Sequence, residues 1–197
     1  AIYTNAAKEF PLTIISLSIT AILLPEMVRL IKQNKVIEAI TKWKNATVTS
    51  FFLMAFFVGI LFIFAPEIIS ILYSDKYLPG ISVFRIYSIL LLLRCTYFGM
   101  ILNSFGKTKY IFYSSTSSFI LNVILNYLFY LVFGFIGPAI STFIGVLFIN
   151  ILQLIYTSRI THLELKEVFP WIRILTLTIV LFFIILTIGF MKRKTLF

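Results

Sequence analysis

One arginine inside an apolar stretch is the residue of this sequence best suited to binding chemistry. Arg94 lies near the middle of residues 80–104, which are otherwise rich in Ile, Leu and Tyr. In a bilayer, a charge at that depth costs about 3 kcal/mol or more unless it faces a cavity or a partner. A guanidinium can form paired hydrogen bonds with a pyrophosphate or an acidic sugar. We therefore expect Arg94 to bind an anion in an interior cavity, or else to pair with a carboxylate or helix carbonyls from a part of the protein outside this sequence.

Aromatic and basic residues flank Arg94 along the same apolar stretch. If the stretch is one helix, Tyr87 at i−7 and Tyr97 and Phe98 at i+3 and i+4 lie on or beside the face of Arg94. Their rings could stack on sugars, and packing in the protein core is the alternative. Arg85 lies two or more turns away, where it could bind an anionic group or extend to the membrane interface.

Five further polar residues are weaker candidates. Asn122 and Asn126 share one helix face, where amides usually join neighbouring helices and less often line a cavity. Lys107 and Lys109 are expected to fix membrane topology and could also attract an anionic headgroup. Glu67, near the end of its apolar run, either couples to a proton or sodium ion or is an ordinary charge at a helix end.

Long apolar runs supply the elements that hold these residues. The chain of 197 residues is 60% hydrophobic and only 12% charged, with a mean hydropathy of +1.04, which is far from soluble globular composition. A membrane helix needs about 20 apolar residues, and its backbone must satisfy its own hydrogen bonds in lipid. The sequence predicts an all-α, multi-pass transmembrane bundle with six spans at about 11–31, 46–72, 80–104, 110–133, 137–157 and 170–190.

The basic residues indicate how the bundle is oriented. The net charge of +10 is carried by short clusters between apolar runs, which fits membrane topology better than nucleic-acid binding. The clusters at 29–44, 107–109 and 159–173 fall on one side, which is expected to be cytoplasmic. The tail Lys192–Lys194 conflicts with this, so either the sixth run does not cross fully or a further span follows. Residues Lys32–Lys44 predict an amphipathic helix at the cytoplasmic interface, with a solvated loop as the alternative.

An ordered set of local motifs runs through nearly the whole chain. In sequence order they are Tyr3–Ala7, Pro25, Ala65–Ile69, Leu72–Tyr77, Arg94, Ile101–Lys109, Asn122, Asn126 and Phe133–Thr142. Their order and spacing are similar to the C-terminal lobe of polysaccharide and O-antigen flippases in the multidrug/oligosaccharidyl-lipid/polysaccharide exporter superfamily.

The resemblance implies a two-lobed transporter whose lobes rock around a central cavity. Its expected cargo is a polyprenyl-pyrophosphate-linked oligosaccharide carried outward across the cytoplasmic membrane. Residues 1–157 would form five spans of the second lobe, and residues 158–197 an additional span with a basic tail. Because the chain begins with Ala1, we expect it to be a fragment whose partners are this lipid-linked glycan, membrane lipids and a missing N-terminal lobe. No cofactor and no nucleic acid are expected.

Three other functions remain open from the sequence. A membrane glycan polymerase or ligase would be an enzyme, but one cysteine, one histidine and seven carboxylates provide no paired acids, Ser-His pair or Cys/His metal site. A multidrug extruder or lipid II flippase of the same superfamily is the second alternative. Extruders of cations are expected to line their cavity with acids, whereas Arg94 favours an anionic substrate. A structural anchor without transport is the third.

Overall fold

The structure, a computed structural model, describes residues 2–7 and 13–194, without the side chains at positions 13, 15, 16 and 192–194. The described residues form helices and contain no strand, which confirms the all-α prediction. The helices are α1 (Ile2–Ala6), α2 (Thr13–Lys32), α3 (Val36–Ile63), α4 (Ala65–Tyr73), α5 (Ile81–Arg94), α6 (Gly99–Ser104), α7 (Thr108–Phe133), α8 (Gly137–Thr161), α9 (Leu165–Val168) and α10 (Trp171–Lys194). Short 3-10 segments at Asp75–Gly80 and Gly134–Ile136 precede α5 and α8.

Several of these helices are long and apolar enough to cross a membrane. They lie in Val36–Ile63, Asp75–Ser104, Thr108–Thr161 and Trp171–Met191. The third stretch has 54 residues and contains both α7 and α8, which fold back on each other at the Gly134–Ile136 segment. The multi-pass prediction is thus confirmed. The first predicted span, 11–31, overlaps α2, which is not among these stretches, and its residues 11 and 12 lie outside the described part.

The predicted interfacial helix at Lys32–Lys44 is wrong as a separate element. Its residues from Val36 onward are the first turns of α3, which continues without interruption into the membrane-spanning part. Ile40 and Trp43 are buried because they pack against Met27 of α2 and other residues of one core cluster. At Ile40 and Trp43 the apolar face of this segment therefore meets protein, whereas Ile37 is exposed.

Two of the predicted continuous spans are interrupted. The span at 46–72 breaks at Phe64, and α4 begins with Pro66 in its first turn, where the missing N–H of proline is tolerated. The span at 80–104 begins as a 3-10 segment and is divided into α5 and α6, with non-helical residues 95–98 between them.

Two separate core clusters hold α5 and α6. The first cluster contains Val83, Phe84 and Leu91 of α5, packed with residues of α3 and α4. The second contains Met100 and Ile101 of α6, packed with residues of α2, α3, α8 and the segment from α9 to α10. The break between α5 and α6 therefore lies at the junction of the two clusters, both of which include residues of α3.

The last span packs loosely along α3. Leu181 is the one buried side chain that the structure describes in α10, and its Cδ1 lies 3.2 Å from where a Cβ on Gly59 of α3 would be. Near the start of α10, Arg173 donates a hydrogen bond to Asn45 Oδ1 at 3.2 Å. The division into residues 1–157 and 158–197 stays a prediction, and the side chains of the basic tail lie outside the described residues.

Candidate site at the break between α5 and α6

Arg94 is the last residue of α5 and its side chain is exposed. Because a helix rises 1.5 Å per residue, Arg94 lies about 20 Å along α5 from Ile81. The hydrocarbon core of a bilayer is about 30 Å thick, so this position is deep within the spanning segment. The chain then leaves the helical path and resumes it at Gly99.

Side-chain hydrogen bonds complete the backbone at this break. Thr96 Oγ1 donates to the Leu93 carbonyl at 2.7 Å, a local bond that competes with continued helix. Asn150 Nδ2, from α8, donates to the Leu93 carbonyl at 3.0 Å and to Thr96 Oγ1 at 3.2 Å. Non-helical backbone at membrane depth requires such partners inside the protein. Sequence reasoning missed Asn150, which is one of four amide side chains in the long uncharged run of residues 110–158.

A small cavity adjoins Arg94. It encloses about 20 Å³ and includes the hydroxyl-bearing residues Thr20, Thr47 and Ser50 from α2 and α3, together with Tyr97. This volume is enough for about one water molecule. The cavity thus combines a guanidinium with several hydroxyls at a helix break.

Tyr97 and Phe98 do not extend the helix face of Arg94 as predicted, because the helix has already ended. Tyr97 nevertheless lines the cavity with Arg94, and its ring covers Gly99, where a Cβ would lie 2.6 Å from Tyr97 Cε2. Phe98 turns into the second core cluster, with its ring centre 5.0 Å from that of Trp43. The break therefore separates two neighbouring aromatic residues, one toward the cavity and one toward the core.

Tyr87 lies apart from this cavity. Its hydroxyl is 3.5 Å from the hydroxyl of Tyr3 in α1. Burial, followed by this hydrogen bond, raises the pKa of the Tyr3 hydroxyl above its ordinary value. Tyr87 thus joins α5 to α1, and the structure does not bring it to Arg94.

The side chain of Arg85 and the residue Glu67 both lie where α3 ends and α4 begins. Arg85 Nε donates to the Phe62 carbonyl at 3.2 Å, and its guanidinium carbon lies 5.1 Å from the centre of the Phe62 ring. The cation of Arg85 is favourable at the C-terminal carbonyls of α3, where the helix dipole is negative. The exposed anion Glu67 is favourable in the first turn of α4, where the helix dipole is positive. Neither residue reaches the cavity at Arg94.

Lys107 and Lys109 are exposed at the start of α7. Lys109 Nζ lies 5.2 Å from the centre of the Tyr110 ring. Neither lysine lines the cavity beside Arg94.

Asn122 joins α7 to α8, and Asn126 contacts it from within α7. Asn122 Nδ2 donates to Ser141 Oγ at 3.3 Å, Ser141 Oγ donates to the Asn122 carbonyl at 3.1 Å, and Asn126 Nδ2 donates to Asn122 Oδ1 at 3.0 Å. Ser118 Oγ adds a bond to the Gly145 carbonyl at 2.7 Å. Asn122 thus makes an interhelical contact, whereas the hydrogen bond of Asn126 lies within one helix.

Taken with the fold, the site defines a multi-pass helical membrane protein with a basic residue at a break in a spanning helix. Discontinuous membrane helices form the substrate and ion sites of many transporters. The sequence matches the family described as Lipid II flippase MurJ over residues 1–196, and the chain belongs to this family. Comparison with curated proteins and with solved structures finds no match.

The family match confirms part of the resemblance. A flippase family for lipid-linked precursors within the same superfamily is confirmed, as is an integral membrane protein. The match does not confirm the O-antigen and polysaccharide specificity, and it fits the lipid II alternative. It gives no support to a missing N-terminal lobe, which stays a prediction.

Proposed function

We propose that this protein is a transporter, not an enzyme, and that it flips a polyprenyl-pyrophosphate-linked saccharide across the cytoplasmic membrane. Family membership favours lipid II as the cargo over an O-antigen unit. The observation that carries the proposal is the position of Arg94, a fixed cation at a helix break deep in a spanning segment. Charged residues at that depth often mark the pathway of a substrate or ion.

Arg94 is assigned to the anionic part of the cargo. Its guanidinium can donate two parallel hydrogen bonds to a pyrophosphate, which a lysine cannot reproduce. The hydroxyls of Thr47 and Ser50 and the ring of Tyr97 adjoin the same cavity, where they can bind water or sugar hydroxyls. The 20 Å³ cavity is far too small for a saccharide, so transport requires it to open, in keeping with the rocking lobes that the resemblance implies. We propose that a second lobe forms the opposite wall.

Complementation tests this proposal. The full-length protein is expressed in cells whose own lipid II flippase can be depleted, and the fraction of lipid II accessible at the outer face is measured. Wild type is expected to restore it, Arg94→Lys to restore part and Arg94→Ala to restore none, at equal membrane protein levels. Arg159→Ala, which removes an exposed charge from the last turn of α8, is the matched control and is expected to behave as wild type.

A parallel strain identifies the cargo. In cells lacking an O-antigen flippase, wild type is expected to leave surface O-antigen absent. Restoration of O-antigen without lipid II flipping would reverse the cargo assignment while keeping the transporter. Full lipid II flipping by Arg94→Ala would remove Arg94 from the proposed site.

A further inference from the structure

Asn150 is the point at which α8 holds the break between α5 and α6. Its Nδ2 lies 3.0 Å from the carbonyl oxygen of Leu93 and 3.2 Å from Thr96 Oγ1. A side-chain amide nitrogen carries two donors, so these two contacts use its full donor capacity. Leu93 directly precedes Arg94 and Thr96 follows it by two positions, so the amide contacts the chain on both sides of Arg94.

The Leu93 carbonyl has hydrogen-bond donors other than the Asn150 amide. That oxygen also accepts from Thr96 Oγ1 at 2.7 Å and from the Thr96 N–H at 3.4 Å. Both of these bonds are local, and they would be kept if the break rotated as a unit. What Asn150 adds is a fixed attachment of the break to a different helix.

The surroundings of the break make such an attachment useful. α5 and α6 pack in different core clusters, and the continuous helix α3 contributes residues to both clusters. α8 also contacts both α5 and α6. The bond from Asn150 therefore attaches the break itself to a helix that packs against both of its sides.

We propose that Asn150 is a positioning residue whose amide fixes the Leu93–Thr96 break against α8 and thereby sets how Arg94 and Tyr97 face the cavity. Its effect on transport rests on the proposed function, whereas its effect on the break does not. Asn150 also borders an apolar cavity of about 490 Å³ lined by residues such as Leu92, Phe143 and Leu147. An apolar replacement of similar size is accommodated there, so Asn150→Leu is expected to fold.

The position of the break is measured with a cysteine reporter. Tyr97→Cys is introduced together with Cys95→Ser, and the rate at which a small methanethiosulfonate reagent modifies the reporter in membranes is recorded. Asn150→Leu is expected to change this rate about fivefold, the size expected from the loss of its two weak interhelical hydrogen bonds. Asn150→Gln keeps the donor group and is expected to restore most of the wild-type rate.

A second amide on α8 provides the matched control. Gln153 Nε2 donates to Ser114 Oγ of α7 at 3.2 Å, one turn from Asn150 and away from the break. Gln153→Leu removes an interhelical bond of the same kind and is expected to leave the reporter rate unchanged. An unchanged rate in Asn150→Leu, or an equal change in both variants, would overturn the inference.

Transport assays of the same substitutions, with Tyr97 and Cys95 intact, separate this inference from the proposed function. If Asn150→Leu shifts the reporter while Arg94→Ala transports normally, the positioning of the break stands and the proposed function fails. If Arg94→Ala abolishes transport while Asn150→Leu changes neither reporter nor transport, the proposed function stands and the positioning role fails.

Discussion

Two polar contacts between helices use the same chemistry for opposite purposes. Along the α7–α8 seam, Asn122 and Ser118 bond across two unbroken helices, to Ser141 and to the Gly145 carbonyl. At the α5–α6 break, Asn150 bonds to the Leu93 carbonyl in the last turn of α5 and to Thr96 Oγ1 beyond the helix end. The amide at the seam joins two regular helices, whereas the amide at the break joins a helix to the end of an interrupted one. The sequence position of an asparagine alone does not distinguish the two.

The glycines of the two regions differ in the same way. A Cβ on Gly137, at the start of α8, would overlap the Phe129 carbonyl, so the seam packs backbone against backbone next to its turn, whereas a Cβ on Gly145 would meet the side chains of Asn122 and Ser118. For a Cβ on Gly99, at the start of α6, the nearest atoms would be those of the Tyr97 side chain. Backbone cannot move aside and a side chain can. The seam is therefore expected to be rigid and the break to be adjustable.

The largest expected effect is that of Gly137→Ala, which tests the rigid side of this comparison. The new methyl group would overlap the carbonyl of Phe129. Because no rotamer change relieves this overlap, we expect the free energy of unfolding to fall by about 3 kcal/mol or more. Thermal unfolding in detergent and the yield of monodisperse protein measure it. Gly189→Ala, where a Cβ would meet nothing within 4 Å, is the control. Equal stability of the two variants would mean that the seam is not packed through its backbone.

The seam was largely predictable from sequence and the break was not. The turn around Gly134 and Gly137 and the pairing role of Asn122 follow from local residue types and i, i+4 spacing. The break is attached to α8 by a bond between Asn150 and Thr96, which lie 54 positions apart. Apolar residues continue across residues 80–104, so periodicity gives no sign of an interruption.

The wrong assignment of residues 32–44 has a related cause. Its apolar spacing was read correctly as a helix face, but spacing does not tell whether lipid or protein covers that face. Ile40 and Trp43 are buried by Met27, which belongs to the preceding helix. Arg94 was identified from its depth alone, whereas the proximity of Tyr97 depended on the break.

The next largest effect is expected from Asn122→Leu. It removes the bond to Ser141 and the acceptor of the Asn126 amide, so we expect a loss of about 1 to 2 kcal/mol in thermal unfolding. Asn126→Leu removes one bond together with an Oδ1 that is buried without a partner among the described residues, and it is expected to be nearly neutral. If Asn126→Leu destabilised as much as Asn122→Leu, the seam would depend on the pair and not on the contact with Ser141.

A smaller effect is expected from Gly99→Ala, on the adjustable side. The methyl group would displace the Tyr97 ring, which can rotate away. We therefore expect the free energy of unfolding to fall by less than about 1 kcal/mol. The same substitution in a Tyr97→Ala protein is expected to have no such effect. A double-mutant cycle in thermal unfolding gives the coupling between the two positions. A coupling of zero would show that the ring does not rest on Gly99.

The smallest effect is expected from Gly59→Ala, which extends the comparison to α10. The new methyl group would approach Leu181 Cδ1 to 3.2 Å, and α10 is mostly exposed, so this side chain can shift. Alanine also favours helix over glycine by up to about 1 kcal/mol. The two effects oppose each other, so we expect Gly59→Ala to change the free energy of unfolding by no more than about 0.5 kcal/mol. Thermal unfolding of this variant beside Gly137→Ala measures it. A loss above about 2 kcal/mol would mean that α10 is packed as rigidly as the seam, which would count against treating residues 158–197 as a separate addition to the bundle.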